Sequence, residues 1–506
     1  MKKLKQLVGS VTSSQIKMGA LFSYLALGIN IASGLLFTPW MVRQIGQANY
    51  GLYTLAISLI SIFMLDFGLG SAVSRFVSKY RAEGNQEGIN NILSIIYKLY
   101  LLIDAAIFVV LFVLFFFLDV IYVKLTPQEL DTFRVLFIMV AGFNLISFPL
   151  APLNGTLNAH EKFIQLKLCD VFHKLSSVLF VVLALAFHTD VTVVVGANIL
   201  SGLATILLKL IIVKRNIPLK LNFRTQEKGM YRTLFGFTTW TMIISIMQRF
   251  THSFGPSVLG ITASSLEIAV YSPAVALEGY FYSIGTAVNG LFLPRISRHI
   301  ADKHEDRILD LLLKVGRYQI VVLGLIFVGF ACVGQDFMVL WMGPAYAKSY
   351  LCALIIMLPT LLSCSQQIAA TTVIAKNLIK YQARFMIASG VAGLVISYVS
   401  SLFLGAVGVC IGTAAAALAN MFYMSFVYRR KAGINIGVFY RKCWLRAIPC
   451  YAVVIALCLW VLPMLGLPLS WLGLAVKAAV VVVVYLLVCF FIYLPRQDRK
   501  ALLKRK

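Results

Sequence analysis

Long apolar stretches alternate with short polar segments along the whole chain of 506 residues. A run of about 20 apolar residues is long enough for an α-helix to cross a hydrocarbon layer of roughly 30 Å. Only helices and closed barrels satisfy their backbone inside lipid, so the pattern predicts an all-α polytopic membrane protein with about 14 transmembrane helices. The predicted spans lie near residues 18–40, 52–73, 92–118, 135–157, 166–187, 191–213, 233–261, 266–293, 315–335, 349–373, 383–404, 406–428, 447–467 and 471–494.

The polar segments between these spans are short. No segment is long enough for a folded external domain, so we expect the function to reside within the membrane. A membrane sugar polymerase would need catalytic residues on sizeable outer loops, so an enzyme is disfavoured. The chain has no Walker A pattern, and none of its nine cysteines forms a C-x-x-C pair. The sequence therefore predicts no ATP hydrolysis, no metal site and no cofactor.

Composition and charge fix the orientation of the helices. The chain is 60% hydrophobic and only 13% charged, and its net charge is +26. Of its 45 lysines and arginines, 39 fall on the side that includes both termini, and four fall on the other side. This asymmetry predicts cytoplasmic N- and C-termini and contacts with anionic lipids, and it leaves no role for nucleic acid. Arg249 and Lys477 lie within spans, and we expect Lys477 to snorkel to the surface.

Three pairs of similar segments recur in the same order. The segment "YGLYTLA" at residues 50–56 resembles "IAVYSPA" at 268–274, and "GSAVSRF" at 70–76 resembles "GTAVNGLFLPR" at 285–295. Likewise, "TLNAHEKF" and "VIAKNLIKYQARF" both leave a span at a similar offset. Duplication of a six-helix unit places a cleft between two pseudo-symmetric bundles. The predicted domains are 1–228, 229–432, and an additional helix pair with a basic tail, 433–506.

A polar stripe follows one face of the seventh span. Its members are Thr238, Thr241, Ser245, Gln248 and His252, with Arg249 beside them. A charge inside a bilayer is costly, so this face should contact a partner helix or a wet cavity. Glu278 in the next span is predicted at the same depth as Arg249. Two interpretations stay open: the two residues form a satisfied ion pair, or Arg249 also binds an anionic ligand through its planar guanidinium.

Four segments at helix ends are distinctive: "TPWMVRQIGQANYGLYTLA", "LDFGLGSAVSRFVSKYRAEG", "NGTLNAHEKF" and "FMVLWMGPAYAKSY". They resemble segments of the polysaccharide-biosynthesis flippases (Wzx-type) of the MOP exporter superfamily. The resemblance implies two six-helix bundles, a central cationic cavity, alternating access, and movement of undecaprenyl-pyrophosphate-linked oligosaccharide across the bacterial cytoplasmic membrane. It also implies a polysaccharide polymerase and glycosyltransferases as partners. The lipid II flippases of this superfamily carry an Arg-Asp pair in the first helix, whereas this first span offers only Asn30.

The candidate substrate-binding residues are therefore Arg249, Gln248, His252, Ser245, Glu278 and Asn30. The leading alternative is a cation-coupled multidrug exporter of the same superfamily. Such an exporter would favour acidic cavity residues and often has twelve spans, so Arg249 and the additional helix pair count against it.

Overall fold

Apolar runs fold into helices throughout the part of the chain that the computed structural model describes, residues 25–63, 69–217, 228–287, 292–302 and 304–493. Within these ranges no β-strand occurs, and the all-α fold predicted from hydropathy is confirmed. Polar residues at the helix starts satisfy free backbone N–H groups. Asn85 accepts from the N–H of Gly88 at 2.7 Å, and Thr126 and Glu129 form a capping box.

The chain divides into two compact units, Met1–Ala269 and Val270–Lys506. In the N-terminal unit the described helices are α1 (Leu25–Ile45), α2 (Gln47–Phe63), α3 (Leu69–Ala82), α4 (Gln86–Phe116), α5 (Leu118–Ile121), α6 (Pro127–Ser147), α7 (Pro152–Ala159), α8 (Phe163–Phe187), α9 (Val191–Asn216), α10 (Lys228–Ser253) and α11 (Gly255–Thr262). Helix α2 packs against α6 and also against α10 and α11. The seventh predicted span therefore lies within the N-terminal unit and packs on α2.

Helix α12 (Ser265–Thr286) contains the boundary between the units. The C-terminal unit continues with α13 (Leu293–Ala301), α14 (Glu305–Met342), α15 (Ala347–Cys364), α16 (Gln367–Ala375), α17 (Ile379–Leu404), α18 (Ala406–Arg430), α19 (Ile436–Phe439), α20 (Leu445–Met464) and α21 (Trp471–Val488). Small residues bring α17 and α18 close together. A Cβ atom on Gly408 would lie 2.3 Å from the carbonyl oxygen of Ser400, so only glycine fits this crossing.

Eleven helical segments of the described chain are long and apolar enough to cross a membrane. They coincide with eleven of the fourteen predicted spans. Three predicted spans are not among these eleven. Span 52–73 coincides with α2 and α3, span 233–261 with α10 and α11, and span 266–293 with α12. These helices do not combine the length, hydropathy and low charge of the other eleven. The helices that fall short include α10, which carries the polar stripe.

The two units repeat the same order of elements. In each unit a long helix is followed by a short basic helix, a very long helix, a helix that ends in a break, a short helix and a pair of long helices. The series α2, α3, α4, α6, α7, α8 and α9 thus corresponds to α12, α13, α14, α15, α16, α17 and α18. This repeated order of helices agrees with the duplication that the recurring sequence segments predict. The exact domain bounds at 228 and 432 stay predictions.

The additional helix pair, α20 and α21, packs on α14. The hydroxyl groups of Tyr451 and Tyr485 donate to consecutive carbonyl oxygens of α14, those of Ile320 and Val321, at 2.7 and 2.8 Å. Lys477 of α21, which we expect to snorkel, has its Nζ 2.7 Å from Oδ2 of Asp336 in α14. The carboxylate offers the ammonium group a partner within the unit, and the two groups form a charge-assisted hydrogen bond. That Lys477 snorkels stays a prediction.

Candidate functional site

A break in the fourth predicted span creates one wall of the candidate site. Pro149 and Pro152 lack backbone N–H groups, and the α-helix α6 gives way to a short 3-10 turn before α7 begins. Asn154 and Asn158 are four residues apart on α7, so their side chains share one face of this short helix. The break thus presents two amide side chains together at the end of a span.

Glycine permits α7 to cross α3 closely. A Cβ atom on Gly155 would lie 2.8 Å from Cβ of Val73 and 2.9 Å from the carbonyl oxygen of Gly70. Ser74 of α3 donates to the carbonyl oxygens of Gly70 and Gly155, at 3.1 and 3.3 Å. This crossing fixes the position of α7, and with it the two asparagines, relative to α3.

A cavity with a volume of 570 Å³ opens beside this crossing, within the N-terminal unit. Contributions from α3, the α6–α7 break, α7, α9 and α10 line it. The lining residues are Gly70, Ser74, Ser147, Phe148, Leu150, Ala151, Leu153, Asn154, Gly155, Asn158, Ile206, Lys209 and Arg249. Its polar groups are two cations, two amides and two hydroxyls.

The cavity has a net positive charge. Lys209 donates to Oδ1 of Asn154 at 3.0 Å, and its Nζ lies 4.0 Å from a carboxylate oxygen of Asp170. Asp170 is shared, because Lys167 contacts its other carboxylate oxygen at 3.1 Å. One carboxylate therefore faces two ammonium groups, and Arg249 adds a further positive charge. The cations here outnumber the carboxylates that neutralise them, so an anion can bind without displacing a carboxylate from each cation.

The polar stripe of the seventh span lies on α10, as its periodicity predicts. Arg249 and Gln248 are exposed and Ser245 is half-buried, and these three residues occupy neighbouring positions on the helix surface. The side chain of His252 lies outside the described part of the structure, as do those of Thr238 and Thr241. Of the predicted site residues, Arg249 lines the cavity and the position of the others relative to a substrate stays a prediction.

Glu278 belongs to the C-terminal unit and is buried, with 6% of its surface exposed. The hydroxyl group of Thr360 donates to Oε1 of Glu278 at 2.6 Å, so the carboxylate has a hydrogen-bond partner within its own unit. The ion pair between Glu278 and Arg249 stays a prediction. Asn30 is an exposed residue of α1 and is not among the lining residues of the cavity.

Sequence reasoning missed Lys209 and the two asparagines. Lys209 falls among the charges that indicate a cytoplasmic side, because two further basic residues follow it at the end of α9. Its distance from the helix end was the available signal. It lies seven residues before Asn216, the last residue of α9, which is about 10 Å along the axis, and it falls within the predicted span 191–213. Asn154 and Asn158 lie within "NGTLNAHEKF", one of the segments that carry the family resemblance.

The arrangement suits recognition of a polar anion. Guanidinium and ammonium groups bind phosphate oxygens, and amide and hydroxyl groups can bind sugar hydroxyls. The described residues contain no group of three or more side chains that could hold a metal ion. The cavity is thus chemically a cationic, hydrogen-bonding site inside a membrane protein.

Residues 17–298 of the sequence match the family described as "Polysaccharide biosynthesis protein". No curated protein matches the sequence. Among solved structures, "Lipid II flippase MurJ, inward closed conformation" is similar with a TM-score of 0.72 and 15% identity, over 96% of this chain and 100% of that chain. An inward-facing multidrug resistance MATE family transporter of the MOP superfamily has a TM-score of 0.64 and 14% identity, over 80% of this chain and 94% of that chain.

A mutant of the Vibrio cholerae MATE transporter VcmN is similar as well. Its TM-score is 0.55 and its identity 14%, over 83% of this chain and 98% of that chain. At these levels of identity the likeness shows the fold alone. The chain therefore has the helical fold shared by the flippase and the MATE transporters of this superfamily.

Proposed function

Since the chain belongs to the polysaccharide biosynthesis protein family, we propose that it is a flippase for undecaprenyl-pyrophosphate-linked oligosaccharide. It moves this lipid from the inner to the outer leaflet of the bacterial cytoplasmic membrane by alternating access. The product is a surface polysaccharide of the O-antigen, capsule, exopolysaccharide or teichoic-acid type. Both termini are cytoplasmic, and the polymerase and glycosyltransferases of the same pathway are its functional partners.

The observation that carries this proposal is the cationic cavity that Arg249 and Lys209 line. A pyrophosphate diester is a strong anion and the attached sugars are dense in hydroxyl groups. Neither can enter hydrocarbon without losing water, which costs several kcal/mol for each unpaired polar group, about 2–7 for an amide or hydroxyl. A cavity that supplies cations, amides and hydroxyls replaces that water, while the isoprenoid tail stays in the lipid.

The multidrug exporter is the second candidate, because MATE transporters share the fold. Cationic drugs would be repelled by a cavity whose described lining contains two cations and no carboxylate. The charge of the cavity therefore favours an anionic substrate. One assay that offers both an anionic lipid and a cationic dye can distinguish the two candidates.

The decisive experiment measures transport in proteoliposomes that contain the purified protein. A fluorescent undecaprenyl-pyrophosphate-linked oligosaccharide is incorporated, and flipping is read as access of the labelled head to a membrane-impermeant quencher. In parallel, vesicles are loaded with a cationic dye under imposed sodium and proton gradients. We expect flipping of the lipid-linked sugar and no gradient-driven movement of the dye.

Lys209→Gln is the matched test of the site, and Lys214→Gln is its control. Both variants remove one ammonium group near the end of α9, but Lys214 is exposed and does not line the cavity. We expect Lys209→Gln to lower the flipping rate about tenfold, as expected from losing one charge-assisted contact. Equal flipping rates for the two variants would show that the cavity takes no part in transport. Dye movement without lipid flipping would establish the exporter instead.

A further inference from the structure

Four basic side chains converge on a groove between α13 and α14 in the C-terminal unit. Arg295 and His299 are four residues apart on α13, and Arg307 and Lys314 are seven residues apart on α14. These spacings place each pair on one face of its helix. The groove that they line has a volume of 540 Å³. It lies in a different unit from the cavity around Arg249 and shares no residue with it.

The other lining residues make the groove amphipathic. Phe292 and Tyr318 provide aromatic rings, Leu311 and Val315 provide aliphatic surface, and Asp310 is the one carboxylate among the described lining residues. Three permanent cations therefore face one anion. A small soluble anion has no use for the aromatic and aliphatic part of such a groove, whereas a lipid has both a charged head and an apolar body.

The length of α14 places this groove at the level of lipid headgroups. The helix has 38 residues. At about 1.5 Å per residue it is roughly 57 Å long, far more than the roughly 30 Å of hydrocarbon. Arg307 and Lys314 lie in its first three turns, and the ring of Tyr318 follows one turn later with 58% of its surface exposed. Tyrosine concentrates where membranes meet water, so Tyr318 is expected at that boundary.

Helix α13 has the pattern of a helix that lies in the membrane interface. Ile296 is fully buried against the unit, while Arg295 and Arg298, which point in other directions around the helix, are exposed. Basic residues on the polar face of such a helix attract anionic lipids. Two helices of the unit thus direct their cations toward one place on the side predicted to be cytoplasmic.

We propose that this groove binds the phosphate-bearing headgroup of an anionic phospholipid of the cytoplasmic leaflet. Arg295 and Arg307 can each present two donors to phosphate oxygens, and Lys314 adds a point charge. Tyr318 and Phe292 contact the glycerol and the first acyl carbons. The site is independent of the transport cycle proposed above, and it binds lipid whether or not the protein is a flippase.

Native mass spectrometry of the purified full-length protein tests this site. The protein is incubated with phosphatidylglycerol, with zwitterionic phosphatidylcholine, or with inorganic pyrophosphate, and the retained molecules are counted. The test variant is Arg295→Gln/Lys314→Gln. The control Arg430→Gln/Lys431→Gln removes the same charge from the exposed end of α18. We expect the test variant alone to retain about fivefold less phosphatidylglycerol, because it loses charge-assisted contacts to phosphate.

A gain-of-binding variant guards against misfolding. Asp310→Asn removes the carboxylate from the groove, so we expect it to retain about twofold more phosphatidylglycerol, since a repulsive charge is lost. Equal loss in the control double variant would show nonspecific charge attraction and overturn the proposal. Retention of pyrophosphate with the same dependence on Arg295 and Lys314 would make the ligand a free phosphate, and would overturn the assignment to a lipid.

Discussion

Glu161 and Asn377 end two short helices in the same left-handed backbone conformation, with φ angles of 57° and 55°. They are the non-glycine residues with positive φ in the described part of the chain. At α7, the N–H of Lys162 donates to the carbonyl oxygen of Leu157 at 2.9 Å, and at α16 the N–H of Leu378 donates to that of Val373 at the same distance. The two positions are 216 residues apart, close to the offsets of 218 and 215 residues between the recurring segments that begin at 50 and 268 and at 70 and 285. The duplication therefore extends to the backbone.

This conformation predicts the effect of substitutions at Glu161. Left-handed backbone costs an L-residue about 1–2 kcal/mol, and β-branched residues tolerate it worst. We expect Glu161→Val to lower the free energy of unfolding by about 1–2 kcal/mol relative to Glu161→Gly. Both variants lose the exposed ion pair with Arg81, so their difference isolates the backbone.

Thermal unfolding of the two variants in detergent provides the measurement. Glu87→Val and Glu87→Gly serve as controls, because Glu87 is exposed in the first turn of α4, where glycine has no advantage. Glycine should therefore be the better residue at 161 and not at 87. The same ranking at both positions would contradict the left-handed conformation of Glu161.

Arg249 is expected to be required for transport. Arg249→Gln should lower flipping of a lipid-linked oligosaccharide at least about tenfold, and Arg249→Lys should retain part of it, because a point charge keeps attraction but loses the bidentate geometry. Arg215→Gln is the matched control, since Arg215 is exposed at the end of α9 and does not line the cavity. Normal flipping by Arg249→Gln at equal reconstitution would leave Arg249 only a structural role.

Glu278→Gln is expected to impair transport less than Arg249→Ala. The glutamine carbonyl can still accept the hydrogen bond from Thr360, so the buried site stays satisfied. If Glu278 chiefly neutralises Arg249, removing its charge leaves the cleft more cationic and still able to attract an anion. The two variants are compared in one flipping assay. The opposite order, with Glu278→Gln inactive, would make Glu278 a proton or sodium site.

The Lys477–Asp336 pair is expected to hold α21 on α14. The two side chains are 17% and 35% exposed, so the pair is partly screened. We expect Lys477→Met to cost about 1–2 kcal/mol of stability, since it leaves a carboxylate without its partner, and Lys477→Met/Asp336→Leu to recover part of this loss. A double-mutant cycle on thermal unfolding measures the coupling.

The exposed pair Lys79–Glu83 is the control for that cycle. Its nitrogen and oxygen atoms are 3.9 Å apart, and its side chains are 64% and 50% exposed. Surface pairs of this kind contribute about 0–1 kcal/mol. A coupling energy no larger for Lys477 and Asp336 than for this pair would show that the contact does not secure α21.

The membrane potential alone is expected to drive net outward movement. A pyrophosphate diester carries about two negative charges, and each gains about 2.3 kcal/mol per 100 mV when it moves to the positive outer side. Flipping in proteoliposomes should therefore accelerate with an inside-negative potential set by potassium and valinomycin, without sodium or proton gradients. Flipping that ignores the potential but follows an imposed ion gradient would refute this uniport.

The sequence alone determined the membrane fold and the duplication. Apolar runs longer than a bilayer is thick have few alternatives to helices, and eleven of the predicted spans meet the test of length and hydropathy in the structure. The repeat was visible because glycine, proline and charged residues at helix ends mark where the chain turns. The polar stripe correctly placed Ser245, Gln248 and Arg249 on neighbouring surface of one helix, since helical periodicity is local.

Tertiary structure decided which distant residues share a cavity. Lys209 and Asn154 are 55 residues apart, and only the packing of α7 against α3 and α9 brings the ammonium group within 3.0 Å of the amide. The partner of Lys477 was missed for the same reason, because Asp336 is 141 residues away. Hydropathy depends on the sequence neighbours of a residue along its own helix. The partner that satisfies a buried charge is set by helix packing, which depends on contacts far apart in sequence.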